Sequence, residues 1–135
     1  MQSQKKISVL IVDDSAAFRR LLSKALSADP EIQVVATAQD PFDARDKIIE
    51  HAPDVMVCDV VMPRMDGIEF IRRLLPQYPL RVVVVSSMSE KVLNAMNAGA
   101  VDFVAKPDIA AGRNSSMFVS ELVSKIKIAA QANIS

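Results

Sequence analysis

Two kinds of apolar pattern alternate along the chain. In the first, apolar residues run almost unbroken: "ISVLIV" (Ile7–Val12), "IQVVAT" (Ile32–Thr37), "VMVC" (Val55–Cys58), "RVVVV" (Arg81–Val85) and "VDFVA" (Val101–Ala105). Runs this short read as strands buried on both faces of a parallel sheet. In the second, apolar residues recur at helical spacing. Phe18, Leu21, Leu22, Ala25 and Leu26 make one stripe at i, i+3, i+4, i+7 and i+8. Ala44 with Ile48 predicts a second helix, and Ile68 with Ile71 and Leu75 a third. Glu90 to Asn97 predicts a short fourth. Phe118, Leu122 and Ile126, with Val119 and Val123 beside them, predict the last.

The punctuation agrees with this division. Asp29-Pro30, Ala52-Pro53 and Tyr78-Pro79 stand where helices should have ended, Asp40-Pro41 and Asp66-Gly67 where they should begin. Five strands alternating with five helices predict an α/β fold, a parallel sheet covered on both sides. No repeat interrupts the order, so residues 1–135 are expected to form one domain with a core from about residue 7 to 130. The stretch "DIAAGRNSS" after Pro107 reads as loop, and the closing "QANIS" as a fraying end.

Composition narrows the partners. Lys plus Arg number 16 and Asp plus Glu 16, so no bulk charge draws in nucleic acid or an anionic membrane. The pairs Arg19–Arg20 and Arg72–Arg73 lie inside helical patterns and read as solvated faces. The one cysteine, Cys58, excludes an internal disulfide and a multi-cysteine zinc site. No apolar run reaches the roughly 18 residues that span a bilayer, and the N-terminus is too short in apolar residues for a signal-peptide core. The expectation is a soluble cytoplasmic protein.

Chemistry enters at the strand ends. In an open parallel sheet, ligands bind beyond the carboxyl ends of the strands. Asp13 and Asp14 follow the first strand, Asp59 the third, Ser86 and Ser87 the fourth, and Lys106 the fifth. Two carboxylates about 4 Å apart repel by about 4 kcal/mol at an effective dielectric near 20, and three together need a cation between them. An all-oxygen set suits Mg²⁺, so Asp13 and Asp14 read as half of a metal site that Asp59 completes. A carboxylate beside Mg²⁺ and a lysine can attack phosphorus and form an acyl phosphate, which a hydroxyl one strand away could then bond. Singly, each residue has a plainer reading. Asp14 or Ser15 would cap the first helix, Lys106 would be a surface lysine and Ser86 a loop residue. Cys58 would fill the core, and His51 would complement a helix dipole. None of these readings explains why five polar groups share one edge.

At these residues the sequence resembles a response-regulator receiver domain. The matching stretches are "VLIVDDS", "DVVMPRMDG", "VVVVSS" and "GAVDFVAKP", which together span Ile7 to about Ala130. The resemblance implies a flavodoxin-like, doubly wound five-stranded sheet in the order 2-1-3-4-5. It implies Asp59 as phosphoacceptor and Asp13, Asp14, Asp59 and the Val61 backbone carbonyl as the Mg²⁺ ligands. Lys106 would pair with the phosphate, Ser86 and Phe103 would switch, and the Lys106–Pro107 peptide would be cis. A histidine kinase would be the donor, and the surface of the fourth helix, fifth strand and fifth helix would carry the output.

Within the family, "DPEIQVVATAQD", "MPRMDGIEF", "SSMSE" and "GAVDFVAKP" are most similar to the N-terminal receiver of chemotaxis protein-glutamate methylesterases. That implies either the regulatory part of such an enzyme, which is the expectation, or a stand-alone receiver of the same lineage. The receiver by itself would not be a turnover enzyme beyond its own phosphorylation and dephosphorylation. Val61 and Met88 are apolar where the family's residues flank the hydrolytic water, so slow self-dephosphorylation is expected. The interval from Ser86 to Lys106 is shorter than the methylesterase pattern, which shortens the fourth helix. Other classes fit less well. An aspartyl-phosphate hydrolase typically wants an acid where Val61 stands, and a flavin module wants a phosphate cradle where the two aspartates stand.

Overall fold

The computed structural model describes residues 5–62, 65–87, 91–107 and 115–131. Five parallel strands, β1 (Ile7–Val12), β2 (Ile32–Ala38), β3 (Val55–Asp59), β4 (Arg81–Ser86) and β5 (Asp102–Ala105), lie in the order 2-1-3-4-5. Five helices connect and follow them: α1 (Ala16–Ser27), α2 (Pro41–His51), α3 (Gly67–Leu74), α4 (Val92–Ala98) and α5 (Ser115–Ala130). The doubly wound sheet expected from the alternating patterns is present.

The period-two alternation of the strands sorts side chains into two cores. Leu10, Val12, Met56, Cys58, Val82 and Val84 face α2, α3 and α4, where they meet Ala44, Ile48, Ile68, Ile71, Leu74 and Ala95. Val9, Ile11, Val55, Val57, Val83, Val85 and Val104 face α1 and α5, against Phe18, Leu22, Leu26, Phe118, Leu122 and Ile126. Truncating a fully buried member such as Leu22 or Leu122 to alanine costs about 2–5 kcal/mol. Only the inner strands are covered on both faces. On the edge strand β5, Val104 is buried while Phe103 and Ala105 are exposed. The short α4 packs on α3 and β4.

Helix starts are fixed by short polar side chains. Ser15 Oγ accepts from Phe18 N, Asp40 from Asp43 N, and Asp66 from Ile68 N and Glu69 N. Helix α2 closes on Ala52 in the left-handed conformation, φ 45°, just before Pro53.

Three expectations about the fold need correction, and one element went unforeseen. Leu74 faces the core at the end of α3, while Leu75 is its C-cap and only half-buried. Ser115 and Ser116, read as loop, begin α5. A two-residue hairpin pairing Val61–Met62 with Met65–Asp66 follows β3, too short for periodicity to show it. The Lys106–Pro107 peptide is trans, since no cis bond occurs among the described residues. The lysine is aimed by the sheet instead, its N–H donating to the Ser86 carbonyl at 2.9 Å. The start of α4 at Glu90, Met88, most of the loop after Pro107 and the last four residues lie outside the described residues.

Candidate phosphoryl and metal site

The carboxyl ends of β1, β3, β4 and β5 bring the charged residues together. Asp13 extends β1, its N–H held by the Ala38 carbonyl at 3.1 Å. Asp59 closes β3 in register with Val85 of β4, so Ser86 lies one residue beyond it along the neighbouring strand. Asp13, Asp59 and Ser86 are 2%, 5% and 3% exposed; Asp14 faces solvent. Carboxylate oxygens of Asp13, Asp14 and Asp59 all lie within 4.8 Å of one another.

Lys106 spans the cluster. Its Nζ donates to Asp13 Oδ2 at 2.9 Å and to Asp59 Oδ2 at 3.1 Å. The other oxygens are tied to main chain, with Asp13 Oδ1 accepting from Ser15 N at 2.8 Å and Asp59 Oδ1 from Val61 N at 2.9 Å. Each buried carboxylate is therefore held by one backbone and one ammonium donor. Burial lifts the Asp59 pKa above the ordinary carboxylate value, although the Val61 N–H and Lys106 pull the other way. For Lys106, burial works against the charge, but the bonds to Asp13 and the field of both carboxylates outweigh it, and its pKa rises. Burial also pushes the Cys58 thiol well up, with Asp59 and Asp13 adding to the effect. Cys58 is an inert core residue.

The donor set fits a hard divalent cation. All three ligand candidates offer oxygen, two from a rigid buried floor and one from the open side where waters could complete a coordination sphere. The loop that carries Asp59 folds tightly, since a Cβ on Gly67 would lie 2.6 Å from Val60 Cα and 3.1 Å from the Asp59 carbonyl. Only glycine lets α3 begin so near the acidic residue. Val61 is 37% exposed at the rim, and Phe103 is 41% exposed on the outer face of β5.

Two residues at the site carried no such signal in the sequence. Arg19 is half-buried and donates Nη1 to the Asp13 carbonyl at 2.7 Å, which corrects its reading as part of a solvated pair. Phe18, read only as a stripe residue, lies under Lys106 with Nζ 4.1 Å from its ring centroid. Arg72 and Arg73 do lie on a solvated face, paired with Glu69.

The sequence profile described as "Response regulator receiver domain" matches residues 9–113. The chain belongs to the response-regulator receiver family. This receiver is 59% identical over 130 residues to a protein-glutamate methylesterase/protein-glutamine glutaminase of Syntrophomonas wolfei, covering 96% of this chain and 38% of that protein. It thus spans well under half the length of that curated relative. Among solved structures it resembles the response regulator domain of Thermotoga maritima CheB, with 36% identity, a TM-score of 0.87, and coverage of 96% and 100%. It also resembles a chain in the complex of the CheA3 P1 domain with CheY6 from R. sphaeroides, with 28% identity, a TM-score of 0.79, and coverage of 96% and 100%. The receiver is of the chemotaxis CheB type. No helix among its described residues is long and apolar enough to cross a membrane.

Proposed function

We propose that this receiver is a cytoplasmic switch whose state is set by phosphorylation of Asp59. A histidine kinase is the donor, as the likeness to a structure holding a CheA3 P1 domain supports. The Asp59 carboxylate forms a bond to phosphorus while the phosphorus–nitrogen bond to the kinase histidine breaks. The products are an acyl phosphate and, after protonation, a neutral imidazole. The observation that carries this reading is Lys106 seated between Asp13 and Asp59, within bonding distance of both. The Val61 N–H and Lys106 keep the Asp59 carboxylate from rotating, and Lys106 offers its charge to the incoming phosphoryl oxygens. Asp13, Asp14, Asp59 and the Val61 carbonyl would hold Mg²⁺, which when bound neutralises phosphoryl oxygens that the acidic pocket otherwise repels.

Ser86, buried at the end of the strand beside Asp59, would turn its hydroxyl toward the new group. Phe103, exposed one strand further on, would turn inward as Ser86 moves. The surface of α4, β5 and α5 then changes shape. In a chain that continues as the curated relatives do, that surface would control a methylesterase domain. Incubation with a small acyl phosphate and MgCl₂ tests the acceptor. Intact mass should rise by one phosphoryl group in the wild type and not in Asp59→Asn. Equal labelling of both proteins would overturn the assignment.

A further inference from the structure

Lys106 has a third contact that its two carboxylates do not explain. Its Nζ lies 4.1 Å from the centroid of the Phe18 ring, at a distance where an ammonium is attracted to the ring's negative face. The ring is buried and fixed from two sides. The Phe18 backbone N–H donates to Ser15 Oγ at 3.2 Å, which sets the residue's place on the first turn of α1. Behind it stands Phe118 of α5, ring centroids 6.0 Å apart and planes inclined by 41°.

We propose that Phe18 is a positioning residue for Lys106: an aromatic seat that holds the ammonium between Asp13 and Asp59 and in line for the phosphoryl group. A lysine side chain has a long flexible stem and a compact charge that water readily claims. Two of its three donors are taken by Asp13 and Asp59, and the ring occupies a further side with a surface that attracts the charge while excluding water. An aliphatic residue in that place would fill the space without attracting the ammonium. Phe18 touches no reacting atom and acts only through Lys106. The kinetic consequence rests on the assignment of Asp59 as acceptor; the contact itself does not.

The test replaces Phe18 with mono-, di- and trifluorophenylalanine, which nearly keep the ring's shape while draining its negative face, and with leucine as Phe18→Leu. Phosphorylation by a fixed concentration of phosphoramidate should slow stepwise with fluorination. At the trifluoro ring and in Phe18→Leu it should be about tenfold slower, the equivalent of about 1.4 kcal/mol. A flat series would mean that the ring only packs and would overturn the proposal. A second measurement needs no phosphorylation and no variant that must fold. In the NMR spectrum of the unphosphorylated wild type, the Lys106 ε-methylene protons should be shifted upfield of other lysines by the ring current. Ordinary shifts there overturn the seat whether or not Asp59 is the acceptor. Absence of Asp59 labelling with shifted protons overturns the acceptor and supports the seat.

Discussion

Asp14 is the exposed member of the acidic cluster, and neutralising it should move stability in opposite directions with and without Mg²⁺. Its carboxylate oxygen lies within 4.8 Å of those of Asp13 and Asp59, against which Lys106 sets one positive charge. Two unit charges at that separation repel by about 3.5 kcal/mol at an effective dielectric of 20 and by about 0.9 kcal/mol in bulk water. Because Asp14 faces solvent, the relief in Asp14→Asn falls toward the lower end, about 1–2 kcal/mol. A chain of 135 residues unfolds with an entropy near 0.28 kcal/mol/K, so the melting midpoint without metal should rise by about 4–7 °C. In the wild type, Mg²⁺ at a hundred times its dissociation constant adds about 2.7 kcal/mol. The variant lacks the Asp14 carboxylate and should gain far less.

The two melting curves should therefore change places. By circular dichroism, Asp14→Asn melts above the wild type in EDTA and below it in excess MgCl₂. A variant that melts lower in EDTA would show that the carboxylates do not strain one another. Equal stabilisation of both proteins by Mg²⁺ would show that Asp14 does not hold the ion.

Four other outcomes are expected. Gly67→Ala places a methyl group 2.6 Å from Val60 Cα; urea unfolding should show a loss of about 1–3 kcal/mol, and labelling of the neighbouring Asp59 should slow. Val61 and Met88 are both apolar and offer a hydrolytic water no bond, so radiolabelled phosphate on Asp59 should persist for minutes or longer and Met88→Glu should shorten its life; loss from the wild type within seconds would contradict this. The Lys106 pKa is raised above its ordinary 10.5, so its proton is bound more tightly in the folded state. Its stabilisation is therefore complete below about pH 10.5 and lost as pH climbs through the folded value, a fall that unfolding titrations should find in the wild type and not in Lys106→Met. Asp59 behaves differently. Its folded pKa also lies above the ordinary value, here 3.8, so acid favours the fold through this group, and Asp59→Asn should flatten that part of the profile.

What could be read beforehand follows from which forces are local. The inner strands were legible because burial on both faces demands unbroken apolar runs, as in "VMVC" and "RVVVV". Residues at strand ends were legible because a parallel sheet gathers them on one edge, which brings Asp13 and Asp14 after β1 together with Asp59 at the end of β3. Leu74 and Leu75 were confused because a helix end lets either turn inward, and only packing decides. Arg19 was misread because its partner is a main-chain carbonyl, that of Asp13, which no residue pattern displays. Phe18 fitted the α1 stripe completely, so nothing in its spacing revealed that the ring also lies under a lysine from another strand end.

The central claim is that Asp59 carries the phosphoryl group and that Asp13, Asp14, Asp59 and the Val61 carbonyl share one Mg²⁺ beside it. A crystal structure with Mg²⁺ and beryllium fluoride, a stable mimic of the acyl phosphate, tests this directly. The fluoride complex should sit on an Asp59 carboxylate oxygen, Lys106 should touch a fluorine, and the metal should be bound by those four groups. Metal density elsewhere, or an unmodified Asp59 under saturating fluoride, would contradict the account.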